Sequence, residues 1–413
     1  MINFYDHNGK VIIHNDLNSS WISVTPEESR NIKLYLQNPQ IKIKKKLKNL
    51  LSIYQILDQQ KYDLSDTFED IIENTTPKTV YFVTTEKCNL SCSYCYAEAG
   101  ASNSIANELT LEEYSTIFDD LICNGVTTVV FTGGELGEKK NIHSIIMTAH
   151  KKGLNCNLIT NGTLIYTKKN AEFFSKICKK ITVSLDSLNP EENDLNRGKG
   201  CYRIAKRAID NLLLLNFPNI AINQTVTKVN FNSLSQMEIF ANDNHIELNT
   251  GAFCEMGRGK TAKNIYSLTV EEKIYVEKRS IKNKKQVSPF DIKLHCGQGI
   301  GEFSINPIGN VYTCKLLDTP HFLLGNLRVD DLKTILEKGK RKINQKRFSV
   351  FGNKKCNTCS FNLLCGGSCR ASHYYANDGE VDDYIFDDEC TVVKEMLKEH
   401  MYNFFEEEVT CCR

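Results

Sequence analysis

Residues 79–95 read TVYFVTTEKCNLSCSYC, a β-branched and aromatic run that ends in a loop carrying Cys88, Cys92 and Cys95. Val, Tyr, Phe and Thr suit a pleated, half-buried strand. The run therefore predicts a strand whose C-terminal end delivers three thiols into one short loop. Working outward, β-rich apolar runs alternate with helical periodicity as far as Gly259, and strands are predicted at Thr79–Thr84, Thr127–Thr132, Leu154–Thr160, Lys180–Leu185, Ile220–Val226 and Ile246–Cys254. Helix punctuation falls between them. Thr110 and Glu113 have capping-box spacing, Gly125 and Gly153 close helices, and Thr269 with Glu272 opens one after the last strand. Consecutive βα units of this kind predict an α/β fold, a partial (β/α)6 barrel of TIM type, with its chemistry at the C-terminal mouth of the sheet.

The flanks read differently. Residues 1–76 predict a small N-terminal α+β module: a hairpin at Asn8-Gly9, an apolar run at Trp21-Ile22-Ser23-Val24, then helices rich in Lys and Leu. Lys42 to Lys48 is lysine-heavy and reads as a solvated helix face rather than a site for an anionic partner. The barrel is assigned to residues 77–260 and a helical bridge to 261–295. From Cys296 to about residue 400, Gly, Asn and Cys become frequent and periodicity weakens, which predicts a loop-rich C-terminal domain folded round metal, followed by a tail over 401–413.

Lys plus Arg number 51 against 50 for Asp plus Glu, a net charge of +1 that offers no general attraction to nucleic acid or a membrane surface. Met1 to Lys10 lacks the basic start and apolar core of a signal peptide, and no run approaches the roughly 18 apolar residues of a membrane span. A cytoplasmic protein is expected. Seventeen cysteines in such a chain do not read as a disulfide framework, because cytosolic thiols are kept reduced. Metal or cluster ligation is the better explanation, with Cys123, Cys156, Cys178 and Cys201 as scattered apolar fillers.

Three thiolates on one short loop suit three irons of a cubane, since soft sulfur selects iron–sulfur clusters and the fourth iron stays open to a small chelator. Cysteines at i, i+4 and i+7 also stripe one face of a buried helix, and a zinc site lacking its fourth ligand is a further alternative. A structural zinc wants four closed ligands. The x3, x2 spacing of Cys88, Cys92 and Cys95, with Tyr94 just before the last, resembles the signature loop of the radical S-adenosylmethionine superfamily.

That resemblance implies a 4Fe–4S cluster whose open iron is chelated by S-adenosylmethionine, and reductive cleavage to a 5′-deoxyadenosyl radical that takes a hydrogen atom from substrate. Gly133-Gly134-Glu135 at the end of the second strand resembles the family's GGE motif, with Leu136 in place of the usual proline. By the same resemblance Asn161 and Asp186 end the third and fourth strands toward the cofactor, Ser184 and Arg197 hold its ribose and carboxylate end, and Gly257-Arg258-Gly259 is similar to the adenine-contacting segment.

Farther on, Cys296, Gly309-x4-Cys314, Cys356-x2-Cys359-x5-Cys365-x3-Cys369 and Cys390 are similar in every spacing to the seven-cysteine SPASM extension; a pair of zinc sites is the alternative. The family's wiring puts Cys356, Cys359, Cys365 and Cys390 on one auxiliary 4Fe–4S cluster and Cys296, Cys314 and Cys369 on another, three clusters in all. The last iron of the second auxiliary cluster is open, or is filled from elsewhere by Cys254, Cys411 or Cys412.

The whole resembles sactipeptide and ranthipeptide maturases, which implies a ribosomally made precursor peptide with a leader sequence as substrate, a thioether crosslink as product, and flavodoxin or ferredoxin as one-electron reductant. The N-terminal module looks like the winged-helix element that binds leader peptides by β-augmentation. Carbon–carbon or carbon–oxygen crosslinking, epimerisation and sulfatase maturation share the scaffold. Sulfatase maturases have an aspartate after the cysteine matched by Cys314, where this chain has Lys315. A non-catalytic electron carrier or zinc-stabilised binding module is the alternative of another class.

Overall fold

A computed structural model of the chain describes residues 1–60, 64–280, 289, 291–343, 349–377, 379 and 387–411. Three antiparallel strands, β1 (Ile2–His7), β2 (Lys10–Asn15) and β3 (Trp21–Val24), open the chain. The hairpin turns on Asn8 and Gly9, both at positive φ (47° and 78°), as a two-residue turn between right-twisted strands demands. The helix Pro26–Gln37 follows, started by Thr25 and Glu28 in a reciprocal capping box. In the next helix, Lys45–Ile53, Leu47 and Leu51 are buried while the lysines stay exposed.

The centre of the molecule is a nine-stranded sheet. Six parallel strands stand side by side in chain order: β4 (Thr79–Val83), β5 (Thr128–Thr132), β6 (Asn155–Thr160), β7 (Lys180–Ser184), β8 (Ile220–Val226) and β9 (Glu247–Ala252). Their ends fall within two residues of the predicted ones. Each crossover helix buries an apolar stripe against the sheet. In Leu111–Cys123 the stripe is Tyr114, Ile117, Phe118 and Leu121, spaced three and four apart. Phe82, Phe118, Phe131 and Phe174 lie in the resulting core, and the predicted fillers Cys156 and Cys178 are buried with them. The strand order puts the C-terminal ends of β4 to β9 on one rim, as expected of a partial (β/α)6 barrel.

The C-terminal region is less loop-like than expected. β10 (Glu302–Ile305), β11 (Asn310–Tyr312) and β12 (Leu323–Asn326) extend the barrel sheet itself. β10 lies parallel to β4, with Glu302 opposite Thr79 and Ile305 opposite Phe82, and so supplies partners to an edge that would otherwise be unpaired. Gly309 turns the chain between β10 and β11 at φ +88°, which accounts for the glycine before Cys314. Strands of three or four residues give too little alternation to be read from sequence.

The N-terminal sheet does not close on itself. Ile13, Trp21 and Ile22 share one core with Phe361, Leu364, Leu397 and Met401, so the sheet packs on the C-terminal region and on the helix Asp387–Cys411.

Candidate functional site

The loop after β4 is held from two sides. On one side, Gly134 N donates to Thr85 O at 2.7 Å and Glu135 N to Lys87 O at 3.0 Å. A Cβ on Gly134 would stand 2.3 Å from Lys87 O, and one on Gly133 2.6 Å from Thr85 O, so only glycine admits this approach. On the other side stands the segment after β9. Gly257 takes φ +52°, and a Cβ there would meet Tyr96 O at 2.4 Å. Arg258 donates from Nε to Cys92 O at 2.9 Å and from a terminal nitrogen to Ala99 O at 2.8 Å, while its backbone N–H reaches Cys95 O at 3.1 Å.

Cys88, Cys92 and Cys95 line a cavity of about 310 Å3 at the barrel mouth. Of the residues predicted to bind cofactor, Tyr94, Gly133, Gly134, Asn161, Ser184 and Arg197 share its wall. Glu135, Asp186 and Gly257 lie behind it. Glu135 is buried and accepts from Thr160 Oγ1 at 2.6 Å and Asn161 N at 2.7 Å, so its carboxylate sets the end of β6. Asp186 is fully buried and accepts from Arg197 (2.7 Å), Thr225 N (3.0 Å) and the Tyr94 hydroxyl. Burial works against the Arg197 charge, but the Asp186 carboxylate beside it holds its pKa above the ordinary value. Its Nε is buried without a partner.

Sequence reasoning did not single out Phe253 and Met256, which also line this cavity, and it noted Lys315, a further lining residue, only as a departure from the sulfatase-maturase pattern. The Lys315 ammonium sits 4.1 Å from the centre of the Tyr81 ring, and burial lowers its pKa. Arg258, in the segment similar to the adenine-contacting one, lines this cavity, and its side chain spans the carbonyls of Cys92 and Ala99.

Two further cavities are ringed by cysteines. Cys296, Cys314, Cys365 and Cys369 line one of about 610 Å3, and Cys356, Cys359, Cys365 and Cys390 one of about 210 Å3. The larger shares the wall Ala252-Phe253-Cys254 with the cavity of the Cys88 trio. Among the described residues no group of three or more His, Cys, Asp or Glu side chains is gathered round one point tightly enough for a single metal ion. Thiols round a roomy cavity suit a multi-iron cluster better than a lone zinc, whose ligands stand about 2.3 Å away.

The donors fit such clusters. Burial pushes the Cys88 and Cys314 thiols up to about 12 and Cys356 to about 11, so bare thiolates are disfavoured there. Backbone N–H groups nevertheless aim at sulfur: Leu90 N lies 3.4 Å from Cys88 Sγ and Leu316 N 3.5 Å from Cys314 Sγ. Backbone donors also reach Cys296 and Cys365. Such donors favour the anionic form, and iron supplies the positive charge that burial requires.

A partial barrel with three thiols at its mouth and cysteine-ringed cavities beside it defines an iron–sulfur enzyme of the radical S-adenosylmethionine class. Residues 82–237 match the radical SAM superfamily and residues 296–360 the SPASM iron–sulfur cluster-binding domain. The chain belongs to the radical SAM superfamily and carries a SPASM domain. It is 26% identical over 308 residues to the mycofactocin maturase MftC of Mycobacterium ulcerans, covering 70% of this chain and 82% of that one. With the subtilosin biosynthesis protein AlbA of Bacillus subtilis it shares 28% identity over 309 residues, 70% of this chain and 67% of that protein. The crystal structure of Streptococcus suis SuiB bound to S-adenosylmethionine superposes with a TM-score of 0.59 at 16% identity, covering 94% of this chain and 98% of that one. SuiB is also known bound to its precursor peptide SuiA. No helix among the described residues is long and apolar enough to cross a membrane.

Proposed function

We propose that this protein forms a thioether crosslink in a ribosomally made precursor peptide, joining a cysteine sulfur to a carbon with loss of two hydrogens. The observation that carries this reading is the shared wall Ala252-Phe253-Cys254 between the cavity of the Cys88 trio and that of Cys296, Cys314 and Cys369. A peptide in the first cavity borders directly on a second bed of thiols.

Cys88, Cys92 and Cys95 hold the first of three 4Fe–4S clusters, with S-adenosylmethionine at its open corner. Cys356, Cys359, Cys365 and Cys390 hold one auxiliary cluster, and Cys296, Cys314 and Cys369 the other. Loaded in this way and reduced by one electron from a flavodoxin or ferredoxin, the bound cofactor would supply hydrogen-atom abstraction from the substrate.

The chain's own residues bind and orient. Gly133 and Gly134 line the cavity and, having no side chains, let the cysteine loop pack against the end of β5. Asn161, Ser184 and Arg197 set polar groups on its wall, and Asp186 fixes the Arg197 guanidinium. Phe253 and Met256 present apolar surface that excludes water. The N-terminal sheet is the expected seat of the leader.

Mass spectrometry of a cysteine-containing precursor peptide incubated with anaerobically reconstituted enzyme tests the proposal. A loss of two hydrogens with thiols closed to alkylation is expected. The same mass loss with thiols still alkylatable overturns the thioether in favour of a carbon–carbon or carbon–oxygen link.

A further inference from the structure

Cys254 is unlike the other described cysteine side chains outside the recognised spacings; those of Cys411 and Cys412 lie outside the described residues. Cys156 and Cys178 are sealed in the barrel core, Cys201 is buried at the start of its helix, and Cys123 is exposed on its helix. Cys254 follows β9 and lines both the cavity of the Cys88 trio and that of Cys296, Cys314 and Cys369.

Its thiol is tied to the same helix as Cys296 and Cys369. Cys254 Sγ lies 3.6 Å from Ser372 Oγ, in the helix Arg370–Ala376 whose N-cap is Cys369. The backbone N–H of Arg370, at the start of that helix, reaches Cys296. Cys369 is also the common electrostatic neighbour of Cys254, Cys296 and Cys314. Five thiols thus line one cavity, Cys254 from the end of a barrel strand and Cys296, Cys314, Cys365 and Cys369 from the C-terminal domain, and of these Cys365 also lines the smaller cavity with Cys356, Cys359 and Cys390.

We infer that Cys254 is the fourth thiolate ligand of the auxiliary cluster held by Cys296, Cys314 and Cys369. The inference rests on the auxiliary-cluster reading above. Three cysteines leave one iron of a cubane without a protein ligand, and a fourth soft donor lining the same cavity closes it. This ligand belongs to the barrel, so the cluster joins the radical domain to the C-terminal one. A substrate thiol gains that iron only by displacing Cys254.

The test uses full-length protein with Cys88, Cys92 and Cys95 changed to Ala, so that only auxiliary clusters remain, at about eight irons per chain. Mild ferricyanide oxidation strips an iron that lacks a protein thiolate and leaves the electron paramagnetic resonance signal of a three-iron cluster. That signal is expected to be weak in this background and to rise severalfold when Cys254→Ala is added. Added 2-mercaptoethanol is expected to change the reduced-cluster spectrum only in the Cys254→Ala protein. Cys254→Ser, which keeps the size of the side chain, is expected to shift that spectrum while retaining iron, and it serves should the alanine variant fold poorly. An equal three-iron signal with and without Cys254, or an unaltered spectrum in Cys254→Ser, overturns the inference. Absence of auxiliary iron from the background protein would instead overturn the cluster reading on which it rests.

Discussion

Arg258 Nε donates to the carbonyl oxygen of Cys92 at 2.9 Å, so the segment leaving the last parallel strand grips the thiol loop that leaves the first. The same guanidinium reaches Ala99 O at 2.8 Å, and a lysine cannot span two carbonyls in this way. Hydrogen bonds from a charged donor are worth about 1.5–3 kcal/mol each. Arg258→Lys and Arg258→Ala should therefore both load the first cluster poorly, seen as a lower iron content and slower S-adenosylmethionine cleavage. Full loading in the alanine variant would show that the grip is dispensable.

The thiols themselves divide into classes with different expected phenotypes. Changing Cys88, Cys92 and Cys95 to Ala should remove about four irons and abolish S-adenosylmethionine cleavage. Changing Cys356 or Cys296 should spare some cleavage and stop peptide modification. Full modification by either auxiliary variant would show that those clusters are not needed.

Gly134→Ala is a steric test of the mouth. The added methyl has 2.3 Å to Lys87 O, and backbone cannot swing aside as a side-chain tip would. Overpacking of this kind costs about 1–3 kcal/mol. Thermal unfolding should shift down accordingly, and binding of S-adenosylmethionine should be lost. Wild-type binding in this variant would count against the placement of the cofactor here.

Asp186 is fully buried, and Arg197 is its charged partner. Arg197→Met strands a carboxylate and should destabilise the protein by about 3–5 kcal/mol in urea unfolding. Adding Asp186→Asn should restore much of that loss. Strictly additive losses would mean that the two side chains are not coupled.

Glu113 and Arg328 form a pair across the junction of barrel and C-terminal strands. The hydrogen bond from Arg328 is the main reason that the Glu113 carboxyl is held down to about 2, against an ordinary 4.5. A depressed carboxyl stabilises the fold above its unfolded pKa and loses that contribution as pH falls through the folded one. The pair is a third exposed, so its worth is about 0.2–1 kcal/mol. Glu113→Gln keeps the capping geometry and should cost that amount at pH 7. The difference from wild type should narrow as pH falls from about 4.5 toward 2, and a difference independent of pH would remove the ion pair as its cause.

Much of this architecture is legible without coordinates, because its signals are local. The run Thr79–Val83, its five successors and the helix stops at Gly125 and Gly153 each depend on residues a few positions apart. In a parallel sheet every strand ends on the same rim, so Gly133, Asn161 and Ser184 reach one cavity simply by ending β5, β6 and β7. Asp186 shows the limit of such reasoning. It lies two residues past Ser184, the end of β7, and is buried under Arg197 and Tyr94. Two residues of spacing cannot say which group faces the cavity and which supports it.

The order of residues alone determined which donors exist, at what spacing, and on which strand ends they sit. Tertiary structure alone decided which of them share a wall: Arg258 against the Cys92 loop, Lys315 beside Tyr81, β10 along the free edge of β4, Cys254 between two cavities. The reason is physical. Spacing along a chain governs contacts within a turn or a strand, whereas burial and pairing between residues a hundred or more positions apart are settled only when the sheet assembles and its strands find partners.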